Sequence, residues 1–278
     1  MVGGGPPSIL GQKGINKGMI DIREHDQYSL RNTIRAGCIH ECWLFFNELA
    51  KGAASEKVRR DLADGIILGN YAYSTRMALW KIFRTRYLNI SSPWVRSELI
   101  SASQHGPESP EFISLLYLYF ILRDRLAFEF VVDVIWPKWL AHDLAIGSED
   151  CSRFFTQLSQ ENDSLPKITA ESKGKLIRNT VSTLQDFGLV TGTKHRVISR
   201  PPVVPRTAFH VVRLLRLEGL SGKEIVDAKD WRIFLWDQQD ISRMLARLSR
   251  EKWIRYEKSG QIVILEIGEE ATPERGKP

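Results

Sequence analysis

Residues 172–202 read SKGKLIRNTVSTLQDFGLVTGTKHRVISRPP, and this stretch decides how the chain is read. Thr169 and Ser172 precede a helix that runs up to Phe187. Gly188-Leu189 stops the helix, and a short alternating stretch around Gly192 follows, closed by Pro201 and Pro202. A helix that ends in Gly-Leu and runs into a two-strand ribbon has the form of the end of a winged-helix unit, with the ribbon as wing. Lys173, Lys175 and Arg178 lie in the first two turns, and Lys194, Arg196 and Arg200 lie on the wing. Cations near a helix N-terminus suit duplex phosphates, and a wing can reach the adjacent groove.

The same order returns downstream. Asp237 or Asp240 caps DISRMLARLSREK, and RYEKSGQIVILEI then alternates about a Ser259-Gly260 turn. Two helices precede it, RTAFHVVRLLRLE and SGKEIVDA, so residues 205–267 read as a second winged-helix-like unit. Arg243, Arg247 and Arg250 form one stripe on its last helix. Asp237, Asp240 and Glu251 offset that stripe, which keeps a protein contact open for this unit.

Upstream of Pro166 the pattern is helical, with no strand expected before Gln160. A first helix is expected from Tyr28 to Leu49, a second capped by Ser55, a third capped by Ser74 and a fourth starting at Pro93 behind Ser92. The third carries Arg76, Lys81, Arg84 and Arg86 and is a second candidate for anions. Residues 111–136 make one or two core helices, with Pro137 bending or restarting the last. The chain thus divides into a flexible leader (1–27), a helical domain (28–164), a helix and hairpin (165–204), a C-terminal unit (205–267) and a disordered tail (268–278). The fold class is mainly α, with short β-hairpins.

Charge follows the same divisions. The 278 residues carry a formal net charge of +6. Residues 71–100 hold five basic and one acidic side chain, residues 101–166 four and ten, and residues 167–216 ten and two. Two basic blocks flank an acidic one, which is how an anion-binding surface appears in sequence. The most apolar run, Phe112 to Leu122, has 11 residues and falls short of the roughly 20 that cross a bilayer. No basic n-region leads an apolar stretch at the N-terminus, and three scattered cysteines suit a reducing compartment, so a cytoplasmic protein away from membranes is expected.

Catalytic chemistry finds little support. Cys38 and Cys42 share a helix face from which His40 points away, so no zinc set converges. His25-Asp26 and His142-Asp143 are the only echoes of metal phosphohydrolases, and no phosphate-binding, nucleophile-elbow or zincin motif occurs. No metal, cofactor or enzymatic activity is expected.

In the order of YSLRNTIRAG, YAYSTRMALWKIFRTRYLNI, FISLLYLYFILRDRLAFEFVVDVIW, SKGKLIRNTVSTLQDFGLV and WRIFLWDQQDISRMLARLSREKWIRYEKSGQIVILEI, the chain resembles the BrxA family of BREX phage-defence systems from about Tyr28 to Ile267. The resemblance implies a small non-catalytic protein that binds double-stranded DNA and works with other BREX proteins. It also implies a NusB-like fold for the helical part. It supplies no site residues, so the candidates rest on charge. A protein-interaction adaptor and an RNA-binding helical domain are the alternatives.

Overall fold

The structure is a computed structural model that describes residues 22–23, 28, 37–161 and 169–268. The leader and the tail, apart from Ile22, Arg23 and Gly268, lie outside the described residues, as does His25-Asp26. The protein is mainly α-helical, and two small antiparallel hairpins make up its sheets among the described residues.

The N-terminal helices are α1 (Ile39–Ala50), α2 (Ser55–Ala63), α3 (Tyr73–Phe83, continued by a π-helical turn Arg84–Leu88) and α4 (Pro93–Ser103). Then come α5 (Pro110–Arg123), α6 (Arg125–Phe130), a second π-helical turn (Val131–Ile135), α7 (Trp136–Leu140) and α8 (Ser148–Glu161). Helix α9 (Ala170–Asp186) leads into β1 (Val190–Thr191) and β2 (Val197–Ile198). The chain continues through α10 (Pro205–Leu217), α11 (Gly222–Val226), a 3-10 turn (Lys229–Phe234) and α12 (Gln238–Arg250) to β3 (Ile254–Ser259) and β4 (Ile262–Ile267).

Two expectations are corrected. Tyr28 is not helical, and α1 starts only at Ile39, because Cys38 turns the chain with a left-handed φ of 54°. Ser55 and Ser74 sit inside their helices, with Ala54 and Ala72 at the cap positions. As expected, no strand precedes Gln160 among the described residues, and Ala145 makes only an isolated antiparallel bridge to Val197.

Helix α5 organises the rest. Ser109 Oγ accepts the Phe112 amide at 3.2 Å, and Pro110 follows at the first helical position. Eleven of its 14 residues are buried, so it is covered on all sides. Its polar groups reach neighbouring elements instead of water. The Tyr117 hydroxyl donates to the Ile233 carbonyl at 2.7 Å, and Ser114 and Thr207 share a hydrogen bond of 2.7 Å. Arg123 Nε donates to the Thr85 carbonyl at 3.0 Å. The buried apolar residues join in one cluster that runs from Ile22 to Leu265, so the segments 28–164, 165–204 and 205–267 share a core.

A titratable contact lies where α4, α5 and α10 meet. The Tyr119 hydroxyl is 2.6 Å from His210 Nδ1, and His210 Nε2 is 3.7 Å from a Glu98 oxygen. Arg206 pairs with the same carboxylate, and Arg213 stacks on Trp94 at 4.2 Å. Burial lowers the His210 pKa despite the opposing pull of Glu98. Burial would raise the Glu98 carboxyl, but His210 and Arg206 outweigh it and bring it down to about 2. The imidazole is therefore held neutral in the fold, while the unfolded chain takes up a proton near its ordinary value of about 6.5. Stability is then full above that value and falls as the pH drops below it. Thermal melts from pH 7.5 to 5.5 should show a falling midpoint, and His210→Gln, which cannot titrate, should flatten the trend. An equal slope in that variant would assign the loss to other groups.

Candidate nucleic-acid interface

Helix α9 begins at Thr169, whose hydroxyl accepts the Ser172 amide at 3.2 Å. Leu176, Val181 and Leu184 face inward, while Glu171, Lys175 and Arg178 are exposed. The helix ends against α5. Phe187 is fully buried, its ring 5.5 Å from Tyr117 and stacked at 5.4 Å on Phe120. Gly188 turns the chain with φ of 80° and leads into β1. Gly192 makes the hairpin turn, where a Cβ would lie 2.2 Å from the His195 carbonyl oxygen. The hairpin is backed by the preceding segment: the Ile198 amide donates to the Leu144 carbonyl at 2.8 Å, and the Ile146 amide to the Arg196 carbonyl at 3.2 Å.

The cations chosen from sequence meet different fates. Arg178 and Lys194 are exposed, and no ion pair holds them among the described residues. Lys175 is exposed and pairs with Glu171 one turn back at 2.8 Å. Lys173 is half-buried and donates to Thr156 Oγ1 of α8 at 3.0 Å. Arg196 is half-buried on the hairpin stem. Its Nε is buried without a hydrogen-bond partner, and its charge opposes the rise that burial gives the Cys151 thiol, which reaches about 12. Arg200 forms a two-pronged bond to Asp240 at the start of α12 and lies 5.5 Å above the Trp139 ring.

On the α3 helix, Lys81 and Arg84 are exposed, but the other two arginines point inward. Arg76 donates to the carbonyls of Leu62, Ala63 and Tyr71, closing the C-terminal end of α2. Arg86 is 5% exposed, donates to the Gly37 carbonyl at 3.4 Å and lies 4.9 Å over Phe120. Neither guanidinium is available to a phosphate. Gly37 also donates its amide to Asp186 at 2.8 Å, so the α3 region joins the C-terminal end of α9. Lys175 lies 11 residues from that end, about 16 Å along the helix. Of the first basic block, Lys81 and Arg84 are thus the candidates left exposed.

Other candidates from the sequence separate as well. Cys42 is buried, with its thiol pushed well up by burial, and His40 is exposed against Trp43. Asp143 pairs with Lys138 at 2.5 Å, beside a His142 in left-handed backbone conformation. Among the described residues no group of three or more His, Cys, Asp or Glu side chains is placed to hold a metal ion. No helix among them is long and apolar enough to cross a membrane.

The fold and this edge define a mainly helical protein with a cationic helix and hairpin, both rooted in one shared core. The chain belongs to the BrxA family, whose family model matches residues 26–214, and it is thereby a protein of the BREX phage-defence context. A crystal structure of an uncharacterized protein from Magnetospirillum magneticum has a similar fold, with a TM-score of 0.56 and 14% identity, over 76% of this chain and all of that one. No curated protein matches the chain.

Proposed function

We propose that this protein is a non-catalytic, cytoplasmic BREX component that binds double-stranded DNA largely through phosphate contacts, in concert with other BREX proteins. The observation that supports this most is that Lys175 and Arg178 on α9 and Lys194 on the hairpin that follows it are exposed cations with no buried obligation. The segment that carries them runs helix, isolated bridge, helix, helix, hairpin, from α7 through Ala145, α8 and α9 to β2. We read it as a winged-helix unit with α9 presented to the duplex. Each neutralised phosphate releases a counterion, so about four contacts give a log–log salt slope near −3.6. Affinity for a random duplex, followed by fluorescence anisotropy, should fall about 100-fold between 50 and 200 mM salt. Absence of binding at the lower salt overturns the proposal.

A second reading, an adaptor that docks protein partners, draws on Ile262 and Ile264, which are 71% and 37% exposed on one face of β4. It requires partner capture that survives loss of duplex affinity.

A further inference from the structure

We propose that α12 is a second duplex-reading element, whose outer face selects base sequence in the major groove. The inference rests on the DNA reading above and adds selectivity to it. It concerns a helix beyond residue 214, where the family match ends.

The helix is sharply two-sided. Ile241, Leu245 and Leu248 are buried, one turn apart, and fix which side faces the core. The opposite side presents Gln239, Arg243, Ala246, Arg247 and Arg250, all exposed. Arg and Gln are the side chains whose paired donors and acceptors match guanine and adenine edges, and the small Ala246 leaves room for close approach. The major groove is wide enough to admit an α-helix.

In sequence, Asp237, Asp240 and Glu251 offset this stripe, but the structure draws Asp240 off the outer face and commits Asp237, still exposed, to capping the helix. Asp237 accepts the amides of Gln239 and Asp240, each at 2.8 Å, as the cap of its own helix. Asp240 is 10% exposed at its side chain and is held by Arg200 and Arg243. From residue 241 to residue 250 no carboxylate interrupts the outer face. The last acid, Glu251, pairs with Arg247 at 3.0 Å, with both side chains over a third exposed or nearly so (54% and 35%). Such a surface pair is weak and yields readily to a phosphate or a base.

Two further features present the helix. The β3–β4 hairpin stands beside it, its tip of Lys258, Ser259, Gly260 and Gln261 exposed. Gly222 of α11 lies against that hairpin so closely that a Cβ would sit 2.5 Å from the Val263 carbonyl oxygen. The Arg200–Asp240 bond meanwhile ties the start of α12 to the segment that leaves the first hairpin. Both helices are thus held by one framework.

The test uses the full chain on a random-core duplex library, followed by anisotropy on the enriched and scrambled duplexes. The wild type should enrich a short motif and prefer it by at least about 10-fold. Arg243→Ala with Arg247→Ala should reduce that preference to under about 2-fold, while the scrambled duplex, still bound through α9, loses no more than about 5-fold. Ala246→Glu, which leaves both surface pairs in place, should abolish the preference likewise. Circular dichroism identifies any variant that fails to fold, in which case the other decides. A wild type that binds duplex without preference, or variants that keep full preference, overturn this inference alone. A wild type that binds no duplex overturns the DNA reading with it.

Discussion

Replacing Lys175, Arg178 and Lys194 together by Glu should lower affinity for random duplex by at least about 100-fold near 0.1 M salt and leave helicity unchanged. Each lost phosphate contact removes about 0.9 from the log–log salt slope, so the slope of any residual binding should be shallower by about 2.7. The fold has little at stake, because all three side chains are exposed. The one described pair among them, Lys175 with Glu171, is 54% and 77% exposed, and so open a pair adds little to stability. Burial separates this triple change from a broader one. Adding Arg196→Glu would set a carboxylate where a buried Nε now lies, and adding Lys173→Glu would break the bond to Thr156 that ties α9 to α8. Either could unfold the unit and imitate a loss of binding. Unchanged affinity in the folded triple variant would remove α9 as the contact surface.

Phe187→Ala should destabilise the protein by about 3–5 kcal/mol in urea or thermal unfolding. The side chain is fully buried and bridges α9 to Tyr117 and Phe120 of α5. Truncation removes the ring's transfer energy and leaves a cavity between two helices that other contacts hold apart. For a chain of this size the midpoint should fall by about 10 °C. Phe187→Leu, which keeps most of the volume, should cost less than about 2 kcal/mol. A loss below about 1 kcal/mol for the alanine variant would mean that α9 is anchored by its other contacts, such as Asp186 with Gly37.

Much of this architecture is legible in the sequence because it is local. The helix up to Phe187 and its end at Gly188 are read correctly, and Gly260 does lie in the turn of the second hairpin, although that turn is Gly260-Gln261 and Ser259 pairs with Ile262 in the ladder. Asp237 is the cap of α12 as its position suggests. What escapes is set by partners distant in the chain. Nothing near Arg76 or Arg86 reveals that their guanidinium groups turn inward, because the carbonyls of Leu62 and Gly37 become neighbours only in the fold. Ala145 has no alternating neighbours and joins the hairpin only because Val197 is brought beside it. The withdrawal of Asp240 from α12's outer face depends on Arg200, 40 residues earlier.

The burial of α5 also bears on how the chain is made. Its Tyr117 hydroxyl is satisfied by the Ile233 carbonyl, 116 residues later. At about 5–20 residues per second, ribosomal synthesis leaves this helix without its final cover for roughly 6–23 seconds. During that interval the most apolar segment of the protein is a nascent-chain liability, a natural client for a holding chaperone. Translation speed through residues 124–233, and not only the finished fold, should then govern how much soluble protein a cell recovers.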